Sequence, residues 1–200
     1  SGFITINNAG TYANSSASGI AIPSNLNITG SINLKSVTNA TNIVASGIYI
    51  TATSIEGRQG ITISSSSARV EAGFFINSTT ITSAAGNISI TGSTLGSANL
   101  GINSSGTITA TLGSISLTGN SLTGNAVTQS GTMSAATGIT VSATSTTAAT
   151  IVSIGALTVT GAGAPISITA NNSAAGGNTG ITQSGAITGA NGSDISFTSN

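Results

Sequence analysis

The chain has 200 residues, of which 3% are charged and 3% aromatic, with 27 glycines and neither cysteine nor histidine. An ordinary globular domain is about one quarter charged, and the absence of cysteine excludes disulfides and thiolate metal sites. Zero net charge without a Lys/Arg run gives no footprint for nucleic acid or for an anionic membrane surface.

In chain order, an apolar/polar/apolar/polar quartet recurs eight times. It reads Ile4-Thr5-Ile6-Asn7, Ile32-Asn33-Leu34-Lys35, Ile61-Thr62-Ile63-Ser64 and Ile88-Ser89-Ile90-Thr91 in the first half. Ile115-Ser116-Leu117-Thr118, Ile139-Thr140-Val141-Ser142, Ile166-Ser167-Ile168-Thr169 and Ile195-Ser196-Phe197-Thr198 follow. The intervals are 28, 29, 27, 27, 24, 27 and 29 residues. A fixed period of about 20 to 50 residues is the signature of a solenoid, propeller or array. Alternation with period two makes each quartet a strand with one dry and one wet face.

A second recurring element is a glycine, usually after Ser, followed by another alternating strand: Ser18-Gly19-Ile20, Ser46-Gly47-Ile48, Gly73-Phe74, Ser105-Gly106-Thr107, Ser130-Gly131-Thr132, Gly155-Ala156 and Ser184-Gly185-Ala186. A third apolar position stands four residues before several of these glycines, at Ile43, Ile102, Val127, Ile151 and Ile181, and Val70 stands three before. We read these glycines as one series. Each repeat then becomes a strand, a polar loop of variable length, a short strand, a glycine corner and another strand. Pro23 and Pro165 fall at strand boundaries, where a missing N–H is tolerated. Helix signals are absent, because β-branched Thr, Ile and Val with Ser, Asn and Gly favour strand and turn.

The expected fold is all-β: a right-handed parallel β-helix, or β-solenoid, of about 27 residues per coil and roughly seven coils, with residues 1–200 forming a single segment. Coils stacked about 4.8 Å apart make a rod of about 34 Å with aliphatic columns inside. Its ends are open sheet edges, and neither terminus carries the capping helix or charged cap that usually blunts such edges. The expectation is therefore an internal piece of a longer chain or a subunit that stacks. Ser1-Gly2-Phe3-Ile4-Thr5 reads as the opening of a strand and not as a secretory leader. Ala148 to Val159, the most apolar region, is broken by Thr150, Ser153, Gly155 and Thr158, so it reads as strands and not as a membrane span.

Few residues carry chemistry. Glu56, Glu71 and Asp194 are the acids and Lys35, Arg58 and Arg69 the bases; Glu56, Arg58, Arg69 and Glu71 fall near one quartet and read as a solvated loop with weak ion pairs. No histidine stands ready to activate the abundant serines, and the recurring Asp of calcium-binding nonapeptide repeats is missing. No catalytic, metal or cofactor site is expected, and the protein reads as a non-enzyme. Gly161-Ala162-Gly163-Ala164-Pro165 reads as a turn, not a dinucleotide fingerprint. Asn-x-Ser/Thr, the acceptor pattern for glycosylation of a secreted surface, occurs at Asn14, Asn27, Asn39, Asn77, Asn87, Asn103, Asn171 and Asn191; coincidence is the expected source in a chain so rich in these residues. The quartets' second positions, Thr5, Asn33, Thr62, Ser89, Ser116, Thr140, Ser167 and Ser196, should form one outward polar column, the candidate contact surface.

The motifs Ile-Ser-Ile-Thr-Gly at 88–92 and Ile-Thr-Gln-Ser-Gly-Ala-Ile-Thr-Gly at 181–189 resemble the β-strand repeats of filamentous-haemagglutinin-type exoproteins and adhesins of Gram-negative bacteria, and the likeness runs through the whole chain. The resemblance implies export across the outer membrane and a rod that holds or forms an adhesive surface. The function expected is a structural or adhesive rod of a cell-surface or extracellular filament protein, with end-to-end or lateral self-association and contact with glycans or host and biofilm surfaces. Nucleic acid and membrane insertion are not expected. The alternative is an ice- or surface-binding β-helix using the outward Thr/Ser columns.

Overall fold

In a computed structural model of the chain, residues 3–10, 19–38, 46–67, 72–95, 100–146, 150–172 and 179–200 are described. Among them all regular structure is β-strand, arranged as three parallel sheets of eight, seven and seven strands. The first sheet stacks Ile4–Gly10, Ser31–Thr38, Gly60–Ser67, Ile88–Thr94, Ser114–Ser121, Gly138–Ser145, Ile166–Asn172 and Ile195–Ser199, in chain order. Each coil contributes one strand to each sheet, so the fold is a β-solenoid of about 27 residues per coil. No coil can satisfy its own backbone polar groups, and stacking supplies their partners above and below.

The register follows the quartets. Ile4 lies opposite Ile32, Ile32 opposite Ile61, and the same pairing continues through Ile88, Ile115, Ile139, Ile166 and Ile195. Two residues on, Leu34, Ile63, Ile90, Leu117, Val141 and Ile168 form a second interior column, all buried. The second sheet adds Ile48, Phe74, Ile102, Val127 and Val152, and the third adds Ile55, Ile81, Ile108, Met133 and Leu157. These side chains meet in one continuous core along the rod axis. A one-residue slip would turn every aliphatic side chain to the outside, which fixes the register.

The first-sheet strands extend beyond the quartets. Their interior positions change from Ile and Leu to small residues: Ser36, Ser65, Gly92, Gly119, Ala143 and Ala170, then Ser67, Thr94, Ser121 and Ser145. This half of the strand approaches the second sheet backbone to backbone. A Cβ on Gly92 would collide with the Gly101 carbonyl, and one on Gly119 with the Ala126 carbonyl. The coil is thus wedge-shaped, wide over the quartets and closed at the corner between first and second sheets. Hydroxyls tie that corner together, as where Ser65 Oγ donates to the Gly73 carbonyl.

The glycines read as one series belong to two corners. Gly19 and Gly47 precede the second-sheet strands Ile20–Ile22 and Ile48–Ile50, and Gly73 lies within Ala72–Ile76 of the same sheet. Gly106, Gly131, Gly155 and Gly185 precede the third-sheet strands Ile108–Ala110, Met133–Ala135, Leu157–Val159 and Ile187–Thr188. Both corners demand close backbone approach, so the same residue type serves two places. The third apolar column is corrected too: Val127 pairs with Val152, not Ile151, and Val152 with Ile181. Ile43, Val70 and Ser18 lie outside the described residues.

Pro23 follows Ile20–Ile22 and Pro165 precedes Ile166–Asn172, as the boundaries require. Residues 150–159 form the strands Thr150–Ile154 and Leu157–Val159. Among the described residues no helix is long and apolar enough to cross a membrane.

Candidate functional site: the outward polar columns

Side chains that alternate with the core columns point outward, and the parallel register stacks them. Thr5, Asn33, Thr62, Ser89, Ser116, Thr140, Ser167 and Ser196 all fall into one unbroken column on the first sheet. Thr5, Asn33, Thr62, Thr140 and Ser196 are exposed, whereas Ser89, Ser116 and Ser167 are half-buried. Two residues further along each strand a second column runs Asn7, Lys35, Ser64, Thr91, Thr118, Ser142, Thr169 and Thr198. A pair of adjacent columns makes a two-dimensional lattice of hydroxyl and amide groups. Its rows repeat at the strand spacing of about 4.8 Å and its columns at about 7 Å, two residues along a strand. Each hydroxyl offers one donor and two acceptor lone pairs, so the face, with Lys35 its one charge in these two columns, can bond sugars, water or another polar surface.

The third sheet carries a comparable row that we did not single out in the sequence: Asn27, Glu56, Thr82, Thr109, Ser134, Thr158 and Thr188. Its signal was present in the alternation of strands such as Ile108-Thr109-Ala110, but the interior partner there is small, so hydropathy contrast is weak. On the second sheet, Ala21, Tyr49, Phe75 and Asn103 occupy the equivalent row. The Tyr49 and Phe75 rings stack with centroids 5.2 Å apart and planes inclined by 24°. Stacked aromatic pairs of this kind contribute roughly 0.5 to 1.5 kcal/mol beyond their area burial.

Among the described residues the charged side chains are spread along the rod, apart from Glu56 and Arg58 in one notch. Glu56 accepts a hydrogen bond of 3.0 Å from Asn27 Nδ2, and both line a shallow notch of about 200 Å³ with Thr29, Arg58 and Thr82. Arg69 and Glu71 lie outside the described residues. Asp194 stands at the turn before Ile195–Ser199, about five coils from Glu56, or roughly 24 Å along the axis. Lys35 sits in the second outward column beside Asn7 and Ser64. Among the described residues no group of three potential metal ligands occurs.

The repeated Val127-Thr128-Gln129-Ser130-Gly131 and Ile181-Thr182-Gln183-Ser184-Gly185 motifs have an interior role. Gln129 is fully buried and its Nε2 donates to the Gly106 carbonyl at 2.7 Å. Gln183 Nε2 donates to the Gly155 carbonyl at 2.6 Å. Each glutamine thus clamps the glycine corner of the preceding coil. Corner asparagines do similar work from outside: Asn87 Oδ1 accepts from the Ser114 N–H at 2.9 Å, and Asn25 Oδ1 from the N–H groups of Thr53 and Ser54 at 2.9 and 3.0 Å. Of the Asn-x-Ser/Thr asparagines, Asn27, Asn77, Asn87 and Asn191 are exposed and Asn103 and Asn171 half-buried. Asn14 and Asn39 lie outside the described residues.

Fold and surface together define a neutral β-solenoid rod with hydroxyl-rich faces. Comparison with protein families, with characterised proteins and with solved structures finds no match. The likeness to filamentous-haemagglutinin-type exoproteins therefore rests on the repeat motifs, and the structure supplies the β-solenoid fold alone.

Proposed function

We propose that this chain is a non-enzymatic structural and adhesive rod of a bacterial cell-surface or extracellular filament protein. The observation that carries this reading is the unbroken eight-strand register, which turns most of the sequence into length and stiffness. Low charge removes long-range repulsion between neighbouring rods, and the outward columns offer neutral hydrogen bonding to glycans or to like rods. Self-association, end to end or lateral, belongs to the same reading, since parallel sheet edges can add like strands. Immunolabelled electron microscopy of the native assembly tests the proposal. Labelled extracellular rods, with about 34 Å of length per chain, are expected; compact particles or label inside cells would overturn it.

An ice- or surface-binding face is the second reading, favoured by the five in-register hydroxyls from Thr82 to Thr188 beside the two first-sheet columns. Thermal hysteresis in solution is its test, and freezing at the equilibrium melting point removes it.

A further inference from the structure

The chain contains one Asn-Gly step, Asn191-Gly192, and both residues are exposed. They form the centre of a four-residue turn closed by the Ser193 N–H donating to the Ala190 carbonyl at 3.0 Å. Gly192 has φ of 76°, the type II pattern with glycine at the third position. The preceding coil has the same turn at Gly161–Ala164, closed at 3.1 Å with Gly163 at φ 72°. The two turns stack, the Gly163 N–H donating to the Asn191 carbonyl at 2.9 Å. Ala162 stands where the later turn has Asn191, so the turn itself has no need of an asparagine amide.

We propose that Asn191 is a site of spontaneous covalent modification: deamidation through a cyclic imide formed with the backbone nitrogen of Gly192. In the reaction, base removes the Gly192 amide proton and the nitrogen attacks Asn191 Cγ. The new N–Cγ bond forms as the Cγ–Nδ2 bond breaks, and Nδ2 leaves as ammonia after taking a proton from water. Water then adds to either imide carbonyl and opens the ring to aspartate or isoaspartate. No electron transfer is involved. Glycine exposes its nitrogen because no Cβ shields it, and it permits the peptide rotation that cyclisation needs. A type II turn holds the Asn191 ψ near about +120°, with the Gly192 nitrogen turned from the side chain, so the reaction proceeds from a locally opened turn.

Two other exposed asparagines lack this combination. Asn27 and Asn87 precede the β-branched Ile28 and Ile88, and their amides are held, Asn27 by Glu56 and Asn87 by the Ser114 N–H. They serve as internal controls. At Asn191 the product places a new carboxylate three residues from Asp194, and isoaspartate lengthens the backbone just before Ile195–Ser199. Either product weakens the docking of that strand and acts as a clock on this corner of the rod.

The test is peptide mapping by mass spectrometry of the intact chain, incubated at neutral and mildly alkaline pH beside a synthetic peptide spanning residues 186–197. The expected result is progressive replacement of the Asn191 peptide by two acidic isomers, faster at higher pH, slower than in the free peptide, and abolished by Asn191→Gln. Peptides containing Asn27 and Asn87 stay unchanged. Persistence of unmodified Asn191 in the intact chain after the free peptide has fully converted would overturn the proposal.

Discussion

Ile90 is fully buried in an interior column, while Ser89, its neighbour on the same strand, is half-buried on the outer face. Ile90→Asp would place a carboxylate among aliphatic side chains with no cation to pair it, costing more than about 4 kcal/mol. Ser89→Asp should stay within about 0.5 kcal/mol, as surface changes usually do. Urea denaturation followed by circular dichroism separates the two, and equal damage from both would contradict the inside/outside assignment. The glycines give a second residue-level contrast. Gly106→Ala should cost about 3 kcal/mol or more, because its Cβ would meet the Thr79 backbone. Gly163 has open space around it but φ of 72°, so Gly163→Ala should cost only about 1 to 2 kcal/mol of backbone strain. Thermal unfolding of both variants ranks the two effects.

At the scale of the strand, Gln129 shows how a polar residue can be part of an interior column. Its amide clamps the Gly106 corner, yet its Oε1 is buried without a hydrogen-bond partner. Gln129→Glu keeps the shape and changes the chemistry. Burial raises the introduced carboxyl's pKa in the folded state above the ordinary value of about 4.3. Below that ordinary value the acid is protonated in both states and its O–H can donate to the Gly106 carbonyl, so stability should approach that of the native chain. Stability should fall as pH rises above about 4.3 and level off once the raised folded-state value is passed. Denaturation midpoints across pH 3 to 8 measure this, and a pH-independent difference from the native chain would contradict the clamp. The same residue explains what the sequence hid. The quartets disclosed the first-sheet register because Ile against Ser or Thr is a strong contrast repeated eight times. The small-residue halves of those strands, Ser65-Ser66-Ser67 for example, look like loop, since nothing in their hydropathy separates a buried hydroxyl from an exposed one. The Ser-Gly corners were merged for a related reason: close approach selects glycine at either corner, and local sequence does not say which backbone approaches. The outward column was legible in full as a column, because it is the complement of the core pattern.

The whole molecule behaves as a stack in which each coil depends on its neighbours alone, so its integrity should be modular. Deleting residues 88–114 removes one register interval, because Ile88 lies opposite Ile115. Ile115 then takes the place of Ile88 opposite Ile61, and every later column keeps its inward and outward sense. The shortened chain should fold with an unchanged circular dichroism spectrum and a rod shorter by about 4.8 Å, measurable by small-angle scattering. Deleting residues 88–113 leaves Ser114 opposite Ile61 and puts Ile115 on the outer face. The alternation of that strand is then inverted against the strand below, and its Ile and Leu side chains are driven into solvent. This second variant should lose cooperative unfolding over the following coils, unless the corner at residues 84–87 takes up the extra residue as a bulge, which hydrogen exchange would locate there. Equal stability of the two deletions, with no bulge at that corner, would mean that the chain is not held by in-register stacking. A surface built from stacked columns depends on the same register, so the second deletion should also break the outward hydroxyl columns at that coil, whereas the first leaves them continuous and one member shorter.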